Sequence, residues 1–217
     1  MERTTKELHG EEKTAPILGI VRHRIMTDGK GVTTLVGFYG CPLRCRYCLN
    51  PTCFDPETKV LTLTSEELYE RVRIDELYFL ATGGGVTFGG GEPLLHSDII
   101  REFCLKCSDG YNFCVETCLN VPFENIEKVL PFISTFYVDV KDCDPDIYFN
   151  YTGKDNTRVL DNLKKLVSLG HSDKIVVRLP LIPDHNSEED REKSEKRLRK
   201  MGIKKFDKFT YIVNIRK

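Results

Sequence analysis

Nine cysteines stand in this 217-residue chain, and three of them share one short stretch, Gly40-Cys41-Pro42-Leu43-Arg44-Cys45-Arg46-Tyr47-Cys48. The C-x3-C-x2-C spacing lets one loop wrap three thiolates around a single centre. Soft thiolates select zinc, copper(I) or iron–sulfur clusters. A cubane of four irons held by Cys41, Cys45 and Cys48 keeps one iron open to a substrate or cofactor. Cys53 follows closely enough to be a rival fourth ligand, which would give a structural zinc site or a closed electron-transfer cluster. Structural zinc usually draws on two well-separated short pairs, so the tight loop favours the open iron–sulfur cluster. Cys104, Cys107, Cys114 and Cys118 form a looser second pattern. Two of these fall on an expected helix and Cys114 on an expected strand, where small core thiols are common. Cys143 stands alone. His9, His23, His96, His171 and His185 show no ligand spacing among themselves.

Gly83-Gly84-Gly85-Val86-Thr87-Phe88-Gly89-Gly90-Gly91-Glu92-Pro93 is the other chemical segment. Glycines allow a ligand to approach the backbone closely. No Lys-Ser/Thr follows, so the run is not a P-loop. Glu92 sits at the C-terminal end of a strand, the end that carries chemistry in barrel-like folds.

These residues need a frame. Runs rich in Val, Ile, Thr, Phe and Tyr predict strands over Thr33–Tyr39, Gly85–Phe88, Asn112–Thr117, Thr135–Val140, Lys174–Leu179 and Lys208–Val213. Amphipathic stretches between them predict helices: one opened by a capping box at Thr64–Glu67 and carrying Leu68, Val72 and Leu77, then Ser97–Cys107, Phe123–Leu130, Asn156–Leu169 closed by Gly170, and Ser187–Met201. Six βα units imply an α/β fold with a parallel sheet and right-handed crossovers. They are too few to close an eight-stranded barrel, leaving an open, partial barrel or a doubly wound sheet. The length fits one domain, expected over 17–217 behind a flexible polar tail, 1–16. With 32 basic and 33 acidic residues the net charge is −1, which excludes nucleic-acid or anionic-lipid binding by bulk electrostatics. No apolar run approaches the ~20 residues of a membrane span, and no apolar signal-peptide core opens the chain, so a cytoplasmic protein is expected.

Together the two motifs resemble the radical S-adenosylmethionine (SAM) superfamily. Its cluster loop is C-x3-C-x2-C with an aromatic residue, here Tyr47, before the third cysteine. Its second strand closes on Gly-Gly-Glu-Pro, here Gly90-Gly91-Glu92-Pro93. Gly83-Gly84-Gly85-Val86-Thr87, Asp28-Gly29-Lys30-Gly31, Asp139-Val140-Lys141 and Arg178 resemble elements of the activating enzymes of glycyl radical enzymes. Departures include Lys30 for a usual Pro, Glu116 for Asp, Cys118 for Asn, and an ending without the usual Pro-Tyr-His.

The resemblance implies a partial (β/α)6 TIM-like barrel of parallel strands with outer helices. It also implies a [4Fe–4S] cluster on Cys41, Cys45 and Cys48 that binds SAM and reductively cleaves it to a 5′-deoxyadenosyl radical. By the same resemblance, Glu92 and the Gly89, Gly90 and Gly91 backbone would hold the ammonium end of SAM. Lys141 and Arg178 would meet its carboxylate, and Tyr47 and Asn50 would edge the adenine. Glu116 and Thr117 would reach the ribose, or join Asp139 around a small monovalent cation. Asp28 and Gly29 would meet the substrate. No side chain needs to act as a general acid or base. The implied partners are a glycyl radical enzyme as protein substrate and a flavodoxin or ferredoxin as electron donor, in an anaerobic or microaerobic cell. Two other readings compete: a radical SAM enzyme modifying a small molecule or peptide, and a non-catalytic iron–sulfur or zinc module.

Overall fold

The computed structural model describes residues 13–107 and 109–212. Within these residues eight strands make one sheet: β1 (Thr14–Ile25), β2 (Val32–Phe38), β3 (Leu61–Thr64), β4 (Gly85–Gly90), β5 (Asn112–Thr117), β6 (Thr135–Asp139), β7 (Ile175–Leu181) and β8 (Lys205–Thr210). Its order is β3-β1-β2-β4-β5-β6-β7-β8. The expected six strands are β2 and β4 to β8, each parallel to its neighbour. They form the open, partial barrel, which does not close on itself. At one edge it is extended by β1 and β3, both paired antiparallel to their neighbours.

Period-two patterning gives these strands unlike faces. On β6 and β7, Phe136, Val138, Ile175 and Val177 are fully buried, while Tyr137, Asp139, Val176 and Arg178 between them are half-buried. The outer face packs against helices through Val36, Phe38, Val86, Phe88 and Val115. Phe88 meets Phe103 edge-on at 5.7 Å and lies stacked at 6.2 Å from Phe113. Each such buried side chain contributes about 1.5–3 kcal/mol by leaving water. The inner face carries the polar residues.

Among the described residues seven helices cover the outside: α1 (Ser65–Val72), α2 (Glu76–Thr82), α3 (Ser97–Lys106), α4 (Phe123–Val129), α5 (Pro145–Thr152), α6 (Thr157–Ser168) and α7 (Glu188–Met201). The capping box opens α1 as expected: Thr64 Oγ1 accepts from the Glu67 amide at 3.1 Å, and Glu67 Oε2 from the Thr64 amide at 2.9 Å. The helix expected to run on through Leu77 is interrupted by a 3₁₀ turn, Arg73–Asp75. The turn swings Asp75 inward, where its buried carboxylate accepts from Thr34 at 2.7 Å and pairs with Arg22 at 2.6 Å. Tertiary demand thus overrides local helix propensity.

Three elements have no counterpart in the sequence reading: β1, β3 and α5. Residues 1–12 of the expected tail lie outside the described residues, and Thr14–Pro16, assigned to that tail, already pair with β3. Val213, the end of the last expected strand, also lies outside them. Among the described residues no helix is long and apolar enough to cross a membrane.

Candidate active site

The cysteine loop leaves the C-terminal end of β2 and is fixed from two sides. Below it, the Gly91 amide donates to the Phe38 carbonyl at 2.8 Å and the Glu92 amide to the Gly40 carbonyl at 2.7 Å, locking the loop to the turn after β4. Behind it, the Arg44 and Arg46 amides donate to the Thr152 and Tyr151 carbonyls at 2.8 and 3.1 Å. Those carbonyls belong to the last turn of α5, whose final C=O groups have no intrahelical partner. The close approach explains the glycines: a Cβ at Gly91 would lie 2.2 Å from the Gly40 carbonyl oxygen, and one at Gly90 would lie 2.6 Å from the Phe38 nitrogen.

Cys41, Cys45 and Cys48 open onto one cavity of about 300 Å3 at the mouth of the partial barrel. Asn50, Gly90, Gly91, Glu116, Thr117, Asp139, Lys141 and Arg178 also line it. Eleven of the sequence-predicted site residues are therefore brought together. Burial pushes the Cys45 thiol up to about 11 and also raises Cys48, whereas a hydrogen bond from Cys118 pulls Cys41 down. The Lys141 charge favours the thiolate form of all three. Lys141 is itself buried. Desolvation works against its charge, but Asp139 at 3.3 Å and Tyr211 at 3.2 Å outweigh this and raise its pKa well above the ordinary lysine value. Three soft donors, a cation favouring their ionised form and a wall without side chains suit a [4Fe–4S] cluster with bound SAM.

Below the thiols, the inner face carries paired charge. Arg178 donates to Glu116 at 2.7 Å and lies over the Tyr137 ring at 4.8 Å. Burial still raises the Glu116 pKa, against the pull of that arginine. The carboxylates expected near a ribose or a small cation are thus engaged by the chain's own Arg178 and Lys141.

Five expected site residues lie apart from this cavity. The Glu92 carboxylate is fully buried and accepts from Thr117 Oγ1 at 2.7 Å, the Cys118 amide at 2.8 Å and the Leu94 amide at 3.1 Å. It braces the ends of β4 and β5 against each other. Gly89 backs Glu116: a Cβ there would come within 3.2 Å of its Oε2. Tyr47 packs against Tyr151 and His185, at 6.2 and 5.5 Å between ring centres. Asp28 and Gly29 precede β2 at the opposite end of the strands, where Asp28 is buried and paired with Arg24, and its carbonyl accepts from Thr87 at 2.6 Å.

Other residues join the cavity without having been read as such. Cys118 lines it, as do Asp207 and Phe209 on β8. Cys118 had a signal, its place directly after Glu116-Thr117. The β8 pair depends on register: Asp207 stands opposite Arg178, which stands opposite Asp139. Cys53 is buried in a short 3₁₀ turn beside Cys48, outside the cavity lining. Cys104 and Cys114 are buried in the packed molecule.

The family model for the Radical SAM superfamily matches residues 35–210. The chain is 31% identical, over 74% of its length, to the (2S)-3-sulfopropanediol dehydratase activating enzyme of Klebsiella oxytoca. It is 34% identical, over 73%, to the pyruvate formate-lyase-activating enzyme of Clostridium pasteurianum. It spans 69% and 65% of those relatives' own lengths. Streptococcus suis SuiB bound to S-adenosylmethionine shares the fold over 82% of this chain and 40% of its own, with a TM-score of 0.64 at 18% identity. The matched span runs from β2 to β8 and takes in both the cysteine loop and the lysine that faces it, and the chain belongs to the radical SAM superfamily, as an enzyme similar to the activating enzymes of glycyl radical enzymes.

Proposed function

We propose that this enzyme installs a glycyl radical on a partner enzyme, using a [4Fe–4S] cluster held by Cys41, Cys45 and Cys48. The observation that carries this reading is the convergence of those three thiols with Lys141 and the Gly90–Gly91 backbone on one cavity at the mouth of an open barrel. Cys41, Cys45 and Cys48 would hold the cluster, which would supply the electron for reductive cleavage of SAM. Lys141, buried and charged, offers a counter-ion to the SAM carboxylate. Asn50, which donates to the Gly90 carbonyl at 3.0 Å, holds that backbone against the cavity. Glu92 keeps Thr117 and Cys118 in place and acts by positioning. The half-buried inner face excludes bulk water from the reacting centre, which protects a radical from side reactions. A monovalent cation between Glu116 and Asp139 would require these to exchange their present partners. The glycine of the partner, and an electron donor of the flavodoxin or ferredoxin kind, complete the proposal, supported by the similarity to named activating enzymes.

The test is anaerobic reconstitution with iron and sulfide, then dithionite and SAM. We expect 5′-deoxyadenosine, and with a glycyl radical enzyme present, a glycyl radical signal in electron paramagnetic resonance. Cluster-loaded, folded protein that forms no 5′-deoxyadenosine overturns the reading. Cys45→Ala is expected to abolish cluster binding while far-UV circular dichroism stays that of the parent. A full complement of iron in that variant would refute the three-ligand assignment.

A further inference from the structure

Lys141 lines the three-cysteine cavity, yet its side chain is only 7% exposed. A charge so deeply buried is held only where it is paired and hydrogen-bonded. The ammonium has three N–H donors. Asp139, at the end of β6, pairs with it at 3.3 Å, and the Tyr211 hydroxyl accepts from it at 3.2 Å. With these two partners met, one N–H remains for a group in the cavity. Tyr211 stands 70 residues further along the chain, just past β8, and β7 lies between β6 and β8 in the sheet. Its amide donates to the Leu181 carbonyl at 2.9 Å, at the end of β7. Its ring packs against those of Phe209 at 5.4 Å, itself in the cavity wall, and Tyr151 at 6.5 Å. The hydroxyl is thus placed by a backbone bond and two ring contacts, independently of the lysine it meets. The ammonium also lies over the same ring, 5.7 Å from its centre. The choice of a phenol has a physical consequence. A neutral acceptor satisfies one donor without cancelling the charge, whereas a second carboxylate there would repel an arriving anion.

We propose that Tyr211 is a positioning residue for SAM: its hydroxyl shares the Lys141 ammonium with Asp139 and so keeps the third N–H available to the carboxylate of SAM. The proposal rests on the reading that Lys141 is the counter-ion to that carboxylate. Without the hydroxyl, Asp139 is the remaining acceptor and the ammonium turns to it. SAM would then have to draw the lysine out of a tighter ion pair in order to bind. Tyr211 acts through the lysine, and needs contact with neither the cluster nor the reacting carbon.

The experiment uses the full chain, reconstituted, as parent, Tyr211→Phe, the paired variant Lys141→Met with Asp139→Asn, and that pair with Tyr211→Phe added. Phenylalanine keeps the ring and its packing and removes only the hydroxyl. Iron and sulfide per chain are expected to match the parent throughout. SAM binding is measured by equilibrium dialysis without reductant, so that nothing turns over. Tyr211→Phe should bind SAM about tenfold more weakly, the size expected for one lost hydrogen bond to a charged group. Under turnover the loss should fall on the KM for SAM, with kcat changed far less. In the background lacking Lys141 and Asp139, the same substitution should change SAM affinity by less than about twofold, because the group it acts through is gone. Tyr211→Phe with the parent's affinity overturns the proposal. An equal loss in both backgrounds does so too, since it would make Tyr211 a structural residue independent of Lys141. If the variant without Lys141 and Asp139 binds SAM as tightly as the parent, the reading of Lys141 as counter-ion falls instead, so the two failures are distinct.

Discussion

The same strands carry two chemistries on their two faces. Outward, Phe88, Phe113, Val115, Phe136 and Val138 are packed against helices, with polar groups kept to the margins. Inward, Glu116, Tyr137, Asp139 and Arg178 occupy the intervening positions, half-buried and paired with one another. One face is held by area removed from water and tolerates no missing volume. The other is held by matched charge, and its members can exchange partners when a charged ligand arrives. The contrast explains why a one-residue slip of any strand would cost both stability and chemistry, since it would move the whole set to the wrong side.

Substitutions can separate the two faces. The largest effect is expected on the packed face: Phe88→Ala should lose about 3–5 kcal/mol of unfolding free energy in a urea titration. A loss below about 1 kcal/mol would mean the outer face is not the stabilising one. Next comes the charged face, where Arg178→Met leaves Glu116 without its partner and should cost about 1–3 kcal/mol. Adding Glu116→Gln should return most of that loss, because the cost lies in the stranded carboxylate. Lys141→Met combined with Asp139→Asn, which removes both members of this ion pair and strands no carboxylate, should leave the unfolding midpoint close to the parent while 5′-deoxyadenosine formation falls tenfold or more, equivalent to about 1.4 kcal/mol of lost transition-state stabilisation. Equal losses of stability and product would blur the distinction between the faces.

The smallest effect concerns a polar group on the packed side. His96 stacks on Phe38 at 5.4 Å and donates from Nε2 to the Tyr39 carbonyl at 3.1 Å. Burial lowers its pKa below the ordinary 6.5, against the pull of that carbonyl. The unfolded chain therefore takes up a proton below pH 6.5 before the folded one does, and stability falls as pH drops through that window. His96→Gln should remove this part of the slope, read as the difference between the two pH profiles. Parallel pH profiles for parent and variant would mean the ring titrates alike in both states.

What could be read from the sequence was what chemistry keeps local. The three-cysteine loop, the glycine run and the six parallel strands announce themselves within a few residues. Glu92 was placed correctly at a strand end, but its neighbours Thr117 and Cys118 arrive from β5, and sequence spacing gives no sign of which way its carboxylate turns. β1 carries no clear strand signal because Arg22, His23 and Arg24 break its apolar alternation. Their polar groups are answered far away in sequence, by Asp75 for the first two, and nearer by Asp28 for Arg24. α5 has no clear helical period. Its signal was Asp144, whose side chain accepts from two amides of the first turn, followed by Pro145. Asp28 and Gly29 were assigned by motif to the substrate, and the direction of β2 carries them to the far end of the strands.

The bond pair from Arg44 and Arg46 to the end of α5 bears on the order of events in assembly. A loop already tied at two amides has surrendered much of its conformational freedom before any iron binds. Ordering costs about 1–2 kcal/mol per residue of backbone, and here it is met during folding of the helix. Iron and sulfide would then meet a prepared cradle, unlike zinc fingers, where metal and fold arrive together. In cluster-free protein, the Arg44 and Arg46 amides should exchange with solvent deuterium as slowly as those within α5 itself.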